Sequence, residues 1–377
     1  MFLIILILIF IRPVISSSAF IYLNFVYSAL FLLLLIMYIY SKKIAFFPEN
    51  NFNYPVTFFI AALIISLVYS LNQINSLLEI YKYIGGLLLF LVAYSFSEEQ
   101  QRLLLRAIAV CGLLISFLAL YQYFFGFKHL QDYFSANKMQ SSFISDYIRN
   151  KRVFAPFITP GILGGYLAMI LPLCLINKKR LWFILPVSLA LFFTKSISAM
   201  FSLFFGLAIY FYLRGRSKKK AVFYLILTFL FTMVVFVLRN DSIREHTLPL
   251  FSVAMRLNYW KDAFGIIAVH PIVGIGPGNF SLSLSRFAHN SYIQIWAELG
   301  IFGLFSYIWL VFEVLRAGFK SLKGSQDKNK DICLLAAAAV FLIHNFLDFT
   351  FFLPETVFTW WVILGLIASL PKKKPIE

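Results

Sequence analysis

The residues best suited to chemistry crowd into one stretch, Arg256 to Gly303, which reads RLNYWKDAFGIIAVHPIVGIGPGNFSLSLSRFAHNSYIQIWAELGIFG. An isolated His289-Asn290 pair stands there just before an apolar run, with Arg256 and Trp260 upstream. Histidine titrates near neutral pH, so His289 is a candidate general base. Another role suits it as well: an interfacial histidine left to water, with Asn290 or Ser291 capping the helix that follows. Arg256 and Trp260 fit a short interfacial helix that presents a cation at the same mouth. Between them GIGPGN at 274–279 lacks the preceding strand, third glycine and downstream acid of a dinucleotide fingerprint. It reads as a tight turn, or as a nest of backbone amides for an anion.

Other polar groups sit inside apolar runs. His344 and Asp348 are four apart, which on a helix puts them on one face, either bonding between helices or forming a proton path. Lys82 either snorkels to the interface or reaches the external cavity. The five histidines form no HxxxH or HExxH pattern, and the expectation is no metal and no cofactor. Cys111, Cys174 and Cys333 show no CxxC spacing and read as small core residues.

The elements that must position these groups are apolar helices. The chain has 61% hydrophobic, 19% aromatic and 13% charged residues, where a soluble domain carries roughly 25% charged. Continuous apolar runs, rather than alternating ones, give an all-α, polytopic membrane protein. Candidate spans are 2–16, 20–40, 55–71, 77–96, 103–125, 157–177, 181–194, 197–213, 221–238, 291–315, 332–353 and 356–370, about twelve helices in one integral membrane domain over 1–377. The first is read as a retained helix, since it lacks the basic start of a signal peptide.

Charge sets the expected topology. Lys178–Arg180 and Arg214–Lys220 flank 181–213, and only two helices there put both clusters on one side. Lys42, Lys43, Arg102, the Arg316–Lys330 connector and Lys372–Lys374 then fall on the cytoplasmic side, as do both termini. The net charge of +17 is thus first a matter of topology, and nucleic acid is not an expected partner. Two loops, 126–156 and 239–290, face outward; the latter is the large external loop with short helices. They carry Lys128, Lys138, Arg149, Lys151, Arg152, Arg239, Arg244, Arg256, Lys261 and Arg286 against Asp132, Asp146, Asp241, Glu245 and Asp262. This excess of positive charge outside suits an anionic ligand, or it is plain loop polarity.

The order Arg256, Tyr259-Trp260, Ala263, His270-Pro271, Gly274-Ile275-Gly276-Pro277-Gly278-Asn279-Phe280, His289-Asn290, Glu298-Leu299-Gly300 and Gly303 resembles the O-antigen ligase and Wzy polymerase family. Upstream, Arg152, Phe157, Pro160 and Gly164-Gly165-Tyr166-Leu167 are similar to its segment entering the sixth span. Downstream, His344, Asp348 and Pro354 resemble its last helices.

The resemblance implies a bacterial inner-membrane glycosyltransferase with its active site facing the periplasm. Its donor is a glycan on undecaprenyl diphosphate, and its acceptor is lipid A-core or another glycan. It implies Arg256 and His289 as catalytic residues, with Arg152, Lys195, Lys82, Asn290 and Trp260 binding substrate. The expected chemistry is metal-independent and inverting. One departure stands out: where the family has Thr-x-Ser-Arg, this chain has Thr194-Lys195-Ser196-Ile197. The arginine that faces the donor diphosphate is replaced by Ile197. Ligase is the leading reading. A polymerase, a protein O-oligosaccharyltransferase and a lipid-linked glycan transporter are the alternatives, the last expected to show broken helices or repeats around midplane charges.

Overall fold

The computed structural model describes residues 1–44, 52–137, 142–177, 182–215, 218–240, 251–283 and 285–370. Lys138, Lys178–Arg180, Arg216, Asp241, Arg244, Glu245, His246 and Lys372–Lys374 lie outside the described residues. Nothing but helices and turns appears among those described.

The helices begin with α1 (Phe2–Ile11), α2 (Ile21–Ser41), α3 (Asn53–Val68), α4 (Gln73–Ser95) and α5 (Glu98–Tyr121). A π-turn at Gln122–Gly126 leads to α6 (Phe127–Ala136) and α7 (Ser142–Arg149). Next come α8 (Pro160–Cys174), α9 (Ile184–Thr194), α10 (Ile197–Arg214), α11 (Lys218–Asn240) and α12 (Phe251–Val269). The chain ends with α13 (Ser291–Ser321), α14 (Lys328–His344) and α15 (Pro354–Ser369). Each expected apolar stretch holds one helix. Among the described residues five segments are long and apolar enough to cross a membrane: Ile21–Ser41, Gln73–Ser95, Glu98–Ala136, Ile197–Arg214 and Ser291–Ser321.

The centre of the bundle is α15, every residue of which is buried. It packs most extensively on α4, while α14 packs on α8 and α10, and α13 on α3. At roughly 1.5 Å per residue, α15 is about 24 Å long, short of a 30 Å hydrocarbon core. It is preceded by irregular backbone, the short 3-10 turn Thr350–Phe352, which protein and not lipid surrounds.

One sequence expectation holds and three need correction. The stretch 181–213 is two helices as expected, joined by Lys195 in the left-handed conformation at φ 48°. The stretch 332–353, however, is not one helix: α14 stops at His344, so Asp348 lies beyond it in a turn. The short interfacial helix around Arg256 is instead the 19-residue α12. Finally, the helix starting at Ser291 runs to Ser321 and breaks inside at Gly300, where φ is 69° and ψ is −178°. Only glycine adopts that geometry readily.

Candidate active site

His289 stands in the loop between α12 and α13 with φ at 51°, and it is half-buried. Its ring stacks on Tyr259 of α12 at 5.5 Å and meets the edge of Phe349 at 4.8 Å. Tyr259 is one turn beyond Arg256, so the face of α12 that covers His289 also carries Arg256. Trp260, four residues beyond Arg256, shares that side; its indole Nε1 is buried without a hydrogen-bond partner.

The backbone before and after His289 is held tightly. Ala288 N–H donates to Gln294 Oε1 at 3.1 Å, and Gln294 Nε2 donates to Glu298 Oε1 at 3.0 Å. Asn290 caps α13, its Oδ1 accepting from Tyr292 N–H at 3.0 Å and Ile293 N–H at 3.1 Å. The acceptor atom of Asn290 is therefore engaged with the helix, as the capping reading expects. Ser291 ties the start of α13 to the end of α14: its N–H donates to Asn345 O at 2.8 Å, and its hydroxyl to Asn345 Oδ1 at 2.6 Å.

Those bonds bring Asp348 to the site although the helix has ended. Its Oδ1 accepts from Phe349 N–H at 2.9 Å, and its Oδ2 lies 3.6 Å from His344 Nε2. The His344–Asp348 pair meets through a turn, not along a helical face. Gly165 of α8 makes room for it, since a Cβ there would overlap the His344 ring.

A second strand of chain supplies cations. Val153 N–H donates to Phe193 O at 3.0 Å, setting segment 150–153 beside the α9–α10 turn. Across this junction Arg152 Nε donates to Thr194 O at 3.2 Å, and Lys195 Nζ to Asn150 O at 2.9 Å. Gln122, at the π-turn, accepts from Phe154 N–H and Ala155 N–H and holds the segment from behind. The Arg152 guanidinium lies over Tyr147 at 5.6 Å.

The two groups meet electrostatically. Burial lowers the Arg152 pKa, the charges of Tyr147 and Asp146 oppose this, and Arg256 adds to it. Burial likewise lowers Lys195, with Arg152 and Lys151 adding to the effect. Burial pushes His289 below the ordinary histidine value of 6.5; Asp348 opposes and Arg256 reinforces that shift. Arg152, Lys195, Arg256, His289 and Asp348 thus form one constellation, with more positive groups than acids. That shift favours the uncharged ring, the form able to accept a proton.

Two expectations take a different form. Lys82 of α4 is ion-paired with Glu79, which also holds Arg286 at 3.1 Å, in a cleft apart from this constellation. The anion-nest reading of GIGPGN is overturned by its own bonds. Gly278 N–H donates to the Glu298 carboxylate at 3.1 Å, while Ile275 and Gly276 donate to Ala297 O and Glu298 O, both at 2.9 Å. These carbonyls are freed by the break at Gly300, and the turn satisfies them. Ile197, the position of the missing arginine, is half-buried at the first turn of α10, whose cap is Ser196.

Residues 181–308 match the family model described as O-antigen ligase. The match supports the O-antigen ligase and Wzy polymerase family. No curated protein matches the chain. The matched segment covers about a third of the sequence and includes Lys195, Arg256, Trp260, His289 and Asn290. Arg152, Lys82, His344 and Asp348 lie outside it. The long apolar helices are in keeping with a membrane protein of that family.

Sequence alone named His289, Arg256 and Arg152, but not their supports. Tyr259 was visible only as part of a motif, and Gln294 resembled any polar residue near a helix start. The i, i+4 spacing of Gln294 and Glu298 before a glycine was the one available signal.

Proposed function

We propose that this protein is an O-antigen ligase that moves a glycan whole from undecaprenyl diphosphate to a lipid A-core hydroxyl. The reaction takes place at the periplasmic face of the bacterial inner membrane, with both termini of the chain in the cytoplasm. The observation that carries the proposal is that Arg256, on the face of α12 that covers the half-buried His289, lies within electrostatic reach of Arg152, which is bonded across the α9–α10 turn beside Lys195.

The chemistry follows from that placement. The acceptor oxygen attacks the anomeric carbon as the bond to the diphosphate oxygen breaks. The hydroxyl proton passes to His289, and the electron pair leaves with the diphosphate. Negative charge grows on the leaving group, and fixed cations stabilise it without a metal ion. The planar forks of Arg152 and Arg256 suit paired phosphate oxygens. Direct displacement inverts the anomeric centre. Asp348 steadies the imidazolium that forms, and Trp260 offers its free N–H to the donor.

A polymerase would use the same donor site with a second carrier-linked glycan as acceptor. Surface glycan from a deletion strain separates the two. Loss of a ligase leaves bare core and polymer on the carrier; loss of a polymerase leaves core capped by one repeat unit. A normal ladder of chain lengths sinks both readings.

A further inference from the structure

A second opening lies across the aromatic stack from His289. The start of α2, the first half of α4, the start of α13 and the loop before it enclose a cleft of about 460 Å³. Its polar wall carries Asn24, Glu79, Tyr81, Lys82, Arg286 and Glu298. The opposite wall is apolar: Ile21, Phe25, Leu77 and Leu78 line the cleft and are also exposed at the outer surface of the bundle. The helices bearing them, α2 and α4, are both long and apolar enough to cross a membrane.

The charges in this cleft are already matched. Glu79 pairs with Lys82 and with Arg286, and the Glu298 carboxylate accepts from Gln294 and Gly278. Asn24 bridges inward, accepting from Arg12 at 2.7 Å and donating to the Tyr81 hydroxyl at 3.1 Å. A phosphate would find its cations taken. A ring of hydroxyls would find what it needs, since carboxylate, ammonium, guanidinium, amide and phenol groups lie side by side and offer both donors and acceptors. One aromatic stack separates this wall from the candidate base: Phe287 lines the cleft and stacks on Phe349 at 4.0 Å, and Phe349 touches His289.

We propose that this cleft binds the acceptor by an uncharged, hydroxyl-rich terminal sugar, with the apolar surface of α2 and α4 beside it open to a lipid chain from the side, while the charged groups of a lipid A-core stay outside it. The inference rests on reading His289 as the base of a glycan transfer. It gives Lys82 and Glu79 to the acceptor and leaves Arg152, Lys195 and Arg256 to the donor.

The test uses the full-length protein in lipid nanodiscs and octyl β-glucoside carrying a photoreactive diazirine in its alkyl tail. Labelled peptides are mapped by mass spectrometry. Saturable labelling should concentrate within 21–32 and 77–83, and free glucose or octanol should compete at least about tenfold more weakly than octyl β-glucoside. Leu78→Trp, which fills the mouth from an exposed position, should cut that labelling by at least about tenfold. It should leave binding of undecaprenyl diphosphate unchanged. Glu79→Gln should act in the same direction, and Leu78→Trp keeps the test open if that variant fails to fold. Arg152→Ala should do the reverse, weakening undecaprenyl diphosphate and sparing the label. Label spread evenly over the lipid-facing helices, or undiminished in Leu78→Trp, overturns the cleft assignment. If Arg152→Ala binds undecaprenyl diphosphate normally, the donor reading falls, and the labelling still decides the cleft on its own.

Discussion

His289 owes its character to a few contacts, and each makes a distinct expectation. His289→Ala removes the base and should lower transfer by about 10²–10⁴-fold, the usual worth of such a group, while the protein stays inserted and folded. Arg256→Ala should be as damaging, read as glycan transfer in membrane vesicles, because it removes charge from the leaving group. Near-normal transfer in either variant removes that residue from the mechanism. The pH dependence has a definite sign. His289 is pushed below 6.5 by burial, so transfer should hold at neutral pH and fall on the acid side as the ring takes a proton. Asp348 raises that pKa, so Asp348→Asn should carry the acid limb to lower pH. A limb that stays put or moves upward contradicts the coupling. The identities of His289 and Arg256 were legible in the sequence because isolated polar groups at the mouth of an apolar run are conspicuous. Asp348 was legible as a helical neighbour of His344 and as part of the resemblance, but not as a group facing His289, since α14 ends before it.

At the scale of elements, the broken α13 places the site. Ala297 and Glu298 lose their in-helix partners at Gly300, and the GIGPGN turn donates to them instead. Glu298 also reaches back to Gln294, which holds the amide before His289. Gly300→Ala forces a Cβ against the Ile272 carbonyl at a left-handed φ. The backbone alone costs roughly 1–2 kcal/mol, so the unfolding temperature in detergent should fall clearly. Gln294→Ala should reduce turnover more than donor affinity, since it loosens His289 without touching the cations; an equal loss of both argues for general damage. Ile197 is half-buried at the first turn of α10. Ile197→Arg should preserve or improve transfer, and complete loss indicates that the turn has diverged from the family shape. Helix positions were readable from apolar run length, whereas this break was not. A glycine in an apolar run carries no sign of its dihedral angles, and the partners of α13 come from more than twenty residues away.

The described residues form a helical bundle around the buried α15, and the candidate site and the cleft lie on either side of the Phe287–Phe349 stack. The bundle's class was legible because composition alone excludes a soluble core of this size. The division was not, since charge counts over the loops give a sum and no partition. Lys82 looked like one more external cation until its pairing with Glu79 set it apart.

That division has an electrolyte signature. Around Arg152, Lys195 and Arg256 the field has one sign and reaches outward, so mobile ions compete with it. In the cleft, Glu79 and Glu298 stand against Lys82 and Arg286, and these opposite charges lie close enough for their fields largely to cancel. Screening shortens from about 10 Å at 0.1 M salt to about 3 Å at 1 M. Undecaprenyl diphosphate should therefore bind more weakly as salt rises, while octyl β-glucoside labelling should stay nearly level. Parallel salt curves for the two probes would mean that one field, not two, governs both.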